Sequence, residues 1–259
     1  PSKRRLDATA RTVESERMQS LFTFTAPPSP CGYLPDREWS LHYEIVGGLG
    51  PADYLELMSR GWRRFGYSLF RPECPACTAC QPLRVRVDTF RPSATQKRVA
   101  KRNAGEVTVT VGVPDVTREK LALYDRFHAF QTTLKGWPAK PPEAAYDYAE
   151  AFVDNPFPTE EWCYRVGGRL VGVGYVDALP GAMSAIYFFY DPAERDRSLG
   201  VWNVLSVLES ARCRGVEYVY LGFYVEGCRS LDYKAKYRPN EVLDRETGTW
   251  RPFLGPPDS

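Results

Sequence analysis

Three cysteines fall within seven residues, Cys74-Pro-Ala-Cys77-Thr-Ala-Cys80. Thiols so closely spaced do not pair comfortably with one another, but as thiolates they can ligate a soft metal. A tetrahedral site needs a fourth donor. Cys31 is the natural one, delivered by the extended turn that Ala26-Pro-Pro-Ser-Pro30 forces. A C-x2-C-x2-C spacing also occurs at iron–sulfur clusters, whereas structural zinc more often uses two separated pairs, so both centres stay open for Cys31, Cys74, Cys77 and Cys80. Free thiols are the alternative. Cys163 and Cys213 read as core residues on a strand and a helix.

The cluster lies in the most basic stretch of the chain. Arg60 to Arg102 holds eleven basic side chains against Glu73 and Asp88, a local charge of +9 where the whole chain carries +2. Such a concentration suits a polyanion, above all nucleic acid. Nothing resembles a Ser-His-Asp triad, because His42 and His128 are the only histidines and stand in ordinary settings. A second centre of interest begins at Tyr187-Phe-Phe-Tyr190-Asp191-Pro192, where a strand ends in a turn and Ser198-Leu-Gly200 opens a helix. Free backbone N–H groups there can hold an anion or a carbonyl oxygen, although an ordinary helix capped by Ser198 explains the same residues. Glu226, Cys228 and Arg229 follow the next strand, and Lys234 lies between Tyr233 and Tyr237.

The positioning elements follow from periodicity. Tyr54, Leu55, Leu57, Met58, Trp62 and Phe65 recur at helical spacing, predicting one amphipathic helix with Arg60, Arg63 and Arg64 off its apolar face. Leu83–Asp88 alternates as a strand with arginines on one side, and Ser93 caps a basic helix that Gly105 ends. Glu106–Gly112 is a further strand, Thr117 opens a helix, and a short helix is expected over Tyr146–Phe152. Trp162–Val166, Leu170–Asp177 and Ser184–Tyr190 read as an antiparallel meander, followed by a helix from Ser198 and a buried strand Tyr218–Phe223. This is an α+β pattern. Its expected divisions are a polar tail at 1–20, a basic cysteine-bearing domain at 21–104 and a second domain at 105–259.

With 259 residues and 43% hydrophobic content the chain can bury a sizeable core. No apolar run is long enough to span a membrane, and the opening Pro1-Ser-Lys-Arg-Arg-Leu-Asp7 has no apolar segment behind it. The expectation is a cytoplasmic protein with reduced thiols.

Several phrases, in order, resemble the arginyl- and leucyl-tRNA–protein transferases. They are Cys31-Gly-Tyr-Leu-Pro35, Gly61-Trp-Arg-Arg64, Phe70-Arg-Pro-Glu-Cys74 running into Cys80-Gln-Pro-Leu-Arg84, the Asp191-Pro192 turn before Ser198-Leu-Gly200, Leu221-Gly-Phe-Tyr224 leading to Cys228, and Tyr233-Lys-Ala-Lys-Tyr237-Arg-Pro239. The resemblance covers residues 20–245 and implies a GNAT-like acyltransferase fold behind the N-terminal domain that carries the cysteines. The implied reaction moves an amino acid from its tRNA ester to the N-terminal amine of a protein, which marks that protein for degradation. Acceptors beginning with Asp or Glu are implied, with leucine favoured as donor by chain length and arginine left open. Phe127-His-Ala-Phe-Gln131 and Trp137-Pro-Ala-Lys140 depart from the bacterial form.

Under that resemblance no cofactor is required for the chemistry, while the N-terminal cysteines are associated with an iron–sulfur cluster or zinc. An aminoacyl ester is already activated, so aminolysis needs positioning, a neutral amine and oxyanion stabilisation. Asp191 and Glu226 become candidates to accept the amine proton, with Tyr187, Tyr190 or Tyr224 orienting groups. Ser198 and Gly200 would hold the activated end of the donor. Lys234, Arg229 or Arg84 would pair with the acidic acceptor. Arg63, Arg64, Arg98 and Lys101 would contact the tRNA. An acyl-CoA-dependent N-acetyltransferase and a zinc-stabilised nucleic-acid-binding module are the competing readings.

Overall fold

In the computed structural model, which describes residues 18–253, local rules shape the elements that border the site. From the amino end these are β1 (Gln19–Thr25), β2 (Ser29–Pro30), β3 (Glu38–Trp39), β4 (Leu41–Gly48), α1 (Pro51–Ser59), β5 (Arg63–Phe65), β6 (Ser68–Pro72), β7 (Gln81–Arg86), α2 (Ala94–Asn103) and β8 (Val107–Gly112). There follow α3 (Arg118–Lys135), α4 (Ala145–Phe152), β9 (Thr159–Val166), β10 (Arg169–Leu179), β11 (Ala182–Tyr190), α5 (Leu199–Cys213), β12 (Tyr218–Tyr224), β13 (Asn240–Asp244) and β14 (Thr249–Phe253). Short 3-10 turns cover Pro192–Arg197 and Asp232–Lys236.

Ser93 and Gln96 close a capping box at the head of α2, the Ser93 N–H donating to Gln96 Oε1 at 2.8 Å. Thr117 caps α3, and Gly136 ends it in the left-handed conformation. The helix expected across Tyr54–Phe65 is instead two elements. Gly61 takes φ +92, a value open to glycine, and turns the chain from α1 into β5. Trp62 and Phe65 therefore lie on a turn and a strand, and their helical spacing was incidental.

Strands β1-β4-β6-β5 form one sheet, and β14-β13-β7-β12-β11-β10-β9-β8 form a larger one. The fold is mixed α+β. The expected boundary at 104/105 is not where the sheets divide: β7, from the basic stretch, lies between β12 and β13 in the larger sheet. The tail expected at 1–20 falls outside the described residues as far as residue 17, while Gln19 and Ser20 already belong to β1. Leu199, Val204, Val207 and Leu208 of α5 pack one face of the large sheet, and Leu123 and Phe127 of α3 with Tyr148 and Phe152 of α4 pack the other. Val46, Tyr54, Met58, Trp62 and Leu69 join the smaller sheet to α1 and to Leu179, Ala182 and Tyr220 of the larger one.

One feature of the large sheet prepares a site. β11 and β12 run parallel, but only Ala182, Met183 and Ser184 pair, with Tyr218, Val219 and Tyr220. Beyond Ser184, β11 stays with β10 as far as Tyr190, and β12 stays with β7 as far as Tyr224. The two strands part, leaving unpaired backbone edges that face each other.

Candidate active site

Two cations occupy the parting. Arg63 Nη2 donates to the Ala185 carbonyl of β11 at 2.7 Å, and Lys234 Nζ donates to the Phe223 carbonyl of β12 at 2.8 Å. Between them Gly222 takes φ +83 at a break in the β12 register, and a Cβ on it would stand 3.4 Å from Lys234 Nζ and 3.7 Å from Arg63 Nη2. A glycine here makes room for both side chains. Burial, then the neighbouring Arg63 charge, brings the Lys234 ammonium down to about 7, with the Cys228 and Cys80 sulfurs acting in the opposite direction. Lys234 is thus charged or neutral according to small changes in its surroundings, and an arriving carboxylate would hold it charged.

Tyr187 lies on the parted half of β11. Its hydroxyl shares a 3.0 Å hydrogen bond with His128 Nε2 of α3. Burial, then the Lys140 charge, lowers His128 to about 4, so the imidazole is neutral near pH 7. Its ring packs on Tyr124 with centroids 4.2 Å apart. Burial also raises the Tyr187 hydroxyl above the ordinary tyrosine range. His128 was overlooked as a site residue. The signal was its place beside Leu123, Tyr124, Phe127 and Gln131 on the buried face of α3.

Other expected residues stand elsewhere. Asp191 is buried, accepts the Ala193 N–H at 3.0 Å and pairs with Arg169 at 2.5 Å, so it caps a turn and is not free to take a proton. Arg84 bonds Glu241 at 2.7 Å and Tyr220 at 3.1 Å, sandwiched between Tyr218 and Trp250, and its cation is already satisfied. Arg64 is buried against Asp177, Asn155 and Thr159, and Arg63 lies in the parting, so neither offers itself to RNA. Tyr224 is a core residue against Phe253, and Tyr190 packs on Phe127 and Phe188. Glu226 and Arg229 are exposed after β12. Ser198 adopts φ +55 without a side-chain cap bond, so it is not the ordinary capping serine, while Gly200 opens α5 with nothing within 4 Å of where a Cβ would stand.

The densest exposed part of the basic stretch is one face of α2. Gln96, Val99 and Asn103 are the buried side of α2, leaving Lys97, Arg98, Lys101 and Arg102 outward. Gln96 Nε2 donates to the Lys236 carbonyl at 3.2 Å, which fastens this helix to the turn carrying Lys234. The helix is thereby tied through its buried side to the turn that carries Lys234, with its cations on the outward side.

Cys31, Cys74, Cys77 and Cys80 line one cavity of about 30 Å³ with Tyr33, Phe70 and Phe223. Burial, then the charges of Cys74, Cys31 and Cys77, pushes the Cys80 thiol up to about 12. Four sulfur donors suit zinc or iron–sulfur chemistry. Among the described residues, however, no three His, Cys, Asp or Glu side chains are disposed to hold a metal ion. The sulfurs share a cavity without forming a closed ligand cage. Cys228 lies just beyond, packed with Cys80, Phe223 and Val225.

The chain is similar to known proteins along most of its length. A family profile described as the N terminus of arginine-tRNA-protein transferase matches residues 29–98, and the corresponding C-terminus profile matches residues 119–244. An aspartate/glutamate leucyltransferase from Helicobacter hepaticus is 33% identical over 91% of this chain and 99% of its own length. Another from Pseudomonas fluorescens is 37% identical over 85% of this chain and 92% of its own. A solved structure, L-PGS from Bacillus licheniformis, shares 17% identity at a TM-score of 0.45 over 68% of this chain and 59% of its own, a likeness too slight to carry an argument. Matched at both ends and along nearly the full length of its relatives, the chain belongs to the aminoacyl-tRNA–protein transferase family.

Proposed function

We propose that the parting between β11 and β12 joins leucine from leucyl-tRNA to the N-terminal amine of proteins that begin with Asp or Glu, marking them for degradation. The observation that carries this reading is the pair Lys234 and Arg63, set side by side where two parallel strands separate. An acidic first residue finds its counter-charge there, and both cations disfavour an arginyl donor. Phe65 and Tyr187, with ring centroids 6.2 Å apart, offer a leucyl side chain apolar surroundings instead. The separating parallel pair, flanked by α5, is the basis for assigning a GNAT-like acyltransferase core.

The chemistry is an aminolysis. The acceptor amine, having lost its proton, forms a C–N bond to the ester carbonyl carbon, and the C–O bond to the terminal ribose breaks to release the tRNA hydroxyl. Glu226 stays a candidate for the departing proton because it is exposed beside the parting, a freedom that Asp191 lacks. Arg98 and Lys101 on α2 supply phosphate contacts for the tRNA. The need for charged tRNA favours a cytoplasmic reaction, and no helix among the described residues is long and apolar enough to cross a membrane.

Zinc or an iron–sulfur cluster at Cys31, Cys74, Cys77 and Cys80 would require these side chains to close from their present arrangement around the shared cavity. Metal analysis with the visible spectrum of anaerobically purified protein tells these centres apart, and a metal-free, colourless sample removes both. The activity itself is tested by offering leucyl-tRNA, arginyl-tRNA and acetyl-CoA with peptides beginning Asp, Glu, Lys or Ala. Leucine should pass to the Asp and Glu peptides only. Acetyl transfer alone, or RNA binding without any transfer, sinks the reading.

A further inference from the structure

A row of aromatic rings crosses the smaller sheet from its free edge to the parting. Cross-strand partners share a face, and the register sets Phe24 opposite Tyr43, Tyr43 opposite Phe70, and Phe70 opposite Arg63. Ring centroids are 5.0 Å apart from Phe24 to Tyr43 and 6.2 Å from Tyr43 to Phe70. Phe70 continues at 5.7 Å to Phe65, which stands 6.2 Å from Tyr187 on the parted half of β11. The outer end is open: Phe22 is 60% exposed and Phe24 41%. The inner end is the cation pair.

Apolar rings left in water on an edge strand mark a surface that something covers. Charge selects the occupant. Neither Gln19–Thr25 nor Leu41–Gly48 contains a lysine or arginine, and the one acid there is Glu44. Single-stranded RNA also stacks on rings, but its phosphates need cations along the track, and between Phe24 and Phe70 the row has none before Arg63 at its inner end, Arg71 of β6 alternating to the other face. A polypeptide needs none. It gains from aromatic contact and from an edge strand with unpaired backbone groups.

We propose that the row Phe24–Tyr43–Phe70 is the docking surface for the acceptor polypeptide behind its first residue. The first side chain meets Lys234 and Arg63, and the following residues lie over the rings toward β1. Three interstrand steps of about 4.8 Å separate Phe24 from Arg63, a span of about 14 Å. An extended chain covers that span with about four residues. The proposal rests on the transferase reading and adds a preference that reading does not contain, for apolar side chains at acceptor positions two to five.

The test compares an Asp-Ala amide with two six-residue acceptors beginning Asp, one apolar at positions three to five and one carrying Gly and Ser there. The wild-type chain should use the apolar hexapeptide about tenfold better, in kcat/KM, than either other acceptor, the size of effect that one or two aromatic contacts give. Phe24→Ser and Tyr43→Ser should shrink that advantage to about twofold while the KM for leucyl-tRNA holds. Phe24→Ser changes an exposed ring, so its folding, followed by thermal melting, is the safeguard if Tyr43→Ser fails to fold. An equal rate for all three acceptors overturns the proposal. So does a KM for leucyl-tRNA that rises in the variants while the peptide preference persists, which would give the row to the RNA end. A wild-type dimer that Phe22→Ser dissociates without touching the preference gives it to a second copy. If the wild-type chain leucylates none of the three, the transferase reading itself falls and takes the proposal with it.

Discussion

Arg63-Arg64 and the run from Lys97 to Arg102 look alike in the sequence, but the structure puts them to opposite uses. Arg64 and Asp177 both have side chains at 0% exposure, bonded to each other across the two sheets. Arg63 caps a β11 carbonyl where β11 and β12 part. Lys97, Arg98, Lys101 and Arg102 face outward from α2. Local charge marks where arginine is abundant, whereas the partner opposite each guanidinium decides what it does. A buried cation without an anion is costly, so Arg64 and Asp177 had to meet, and a helix capped at Ser93 with one apolar seam had to turn its remaining cations outward.

The largest effect expected from this contrast is on stability. Arg64→Met leaves Asp177 buried without its counter-charge and should cost about 3–5 kcal/mol in urea unfolding. Pairing it with Asp177→Leu should recover most of that loss. Arg98→Met should move stability by no more than about 0.5 kcal/mol. Equal losses from the two arginine variants would erase the distinction between the stretches.

The next largest effect concerns catalysis. Lys234→Ala should lower leucyl transfer to Asp peptides by more than about 100-fold, the loss of a buried charged contact, with leucyl-tRNA binding almost unchanged. The pH dependence has a defined sign. Because the Lys234 cation is held down to about 7, it is fully present below that pH and shed above it, so the KM for Asp and Glu peptides should rise as pH passes through 7. A KM for these peptides that stays flat from pH 6 to 9 would show that Lys234 does not meet the acceptor.

The sequence made parts of this arrangement visible and hid others. Alternation exposed β7 and the β9–β11 meander, and Ser93, Thr117 and Gly136 announced the ends of α2 and α3, because these are local effects. Lys234 was legible through the phrase that surrounds it. The parting of β11 and β12 was not, since it depends on where a parallel ladder stops. The role of Arg63 was hidden too, because Gly61 converts what reads as one helix into a helix and a strand. Asp191 looked free to act until Arg169, twenty-two residues earlier, proved to hold it. Contacts made at long separation leave no periodic trace.

A smaller effect probes the outward face of the comparison. Arg98→Glu with Lys101→Glu should raise the KM for leucyl-tRNA and leave transfer at saturating tRNA intact. If both cations touch phosphates, the slope of log affinity against log salt should lessen by about 1.4–1.8, at roughly 0.7–0.9 per contact removed. An unchanged slope would move the RNA contacts away from α2.

The smallest effect lies at His128, where burial rather than charge pairing sets the behaviour. The folded chain holds the imidazole down to about 4, while an unfolded histidine titrates near 6.5. Between those values the unfolded state takes up a proton that the native state refuses, so stability falls as pH drops from about 6.5 to 4 and this contribution levels off below. His128→Gln keeps a polar partner for the Tyr187 hydroxyl and has no proton to gain. Its melting temperature should lie below that of the wild type at pH 7 and approach it at pH 4, with kcat reduced only a few-fold because Tyr187 stays in place. A constant gap across that range would mean that His128 is not held neutral by its surroundings. The contrast with Lys234 is direct: each is a base depressed by burial and by a neighbouring cation, Lys140 or Arg63, but only Lys234 has an acceptor for which to become charged.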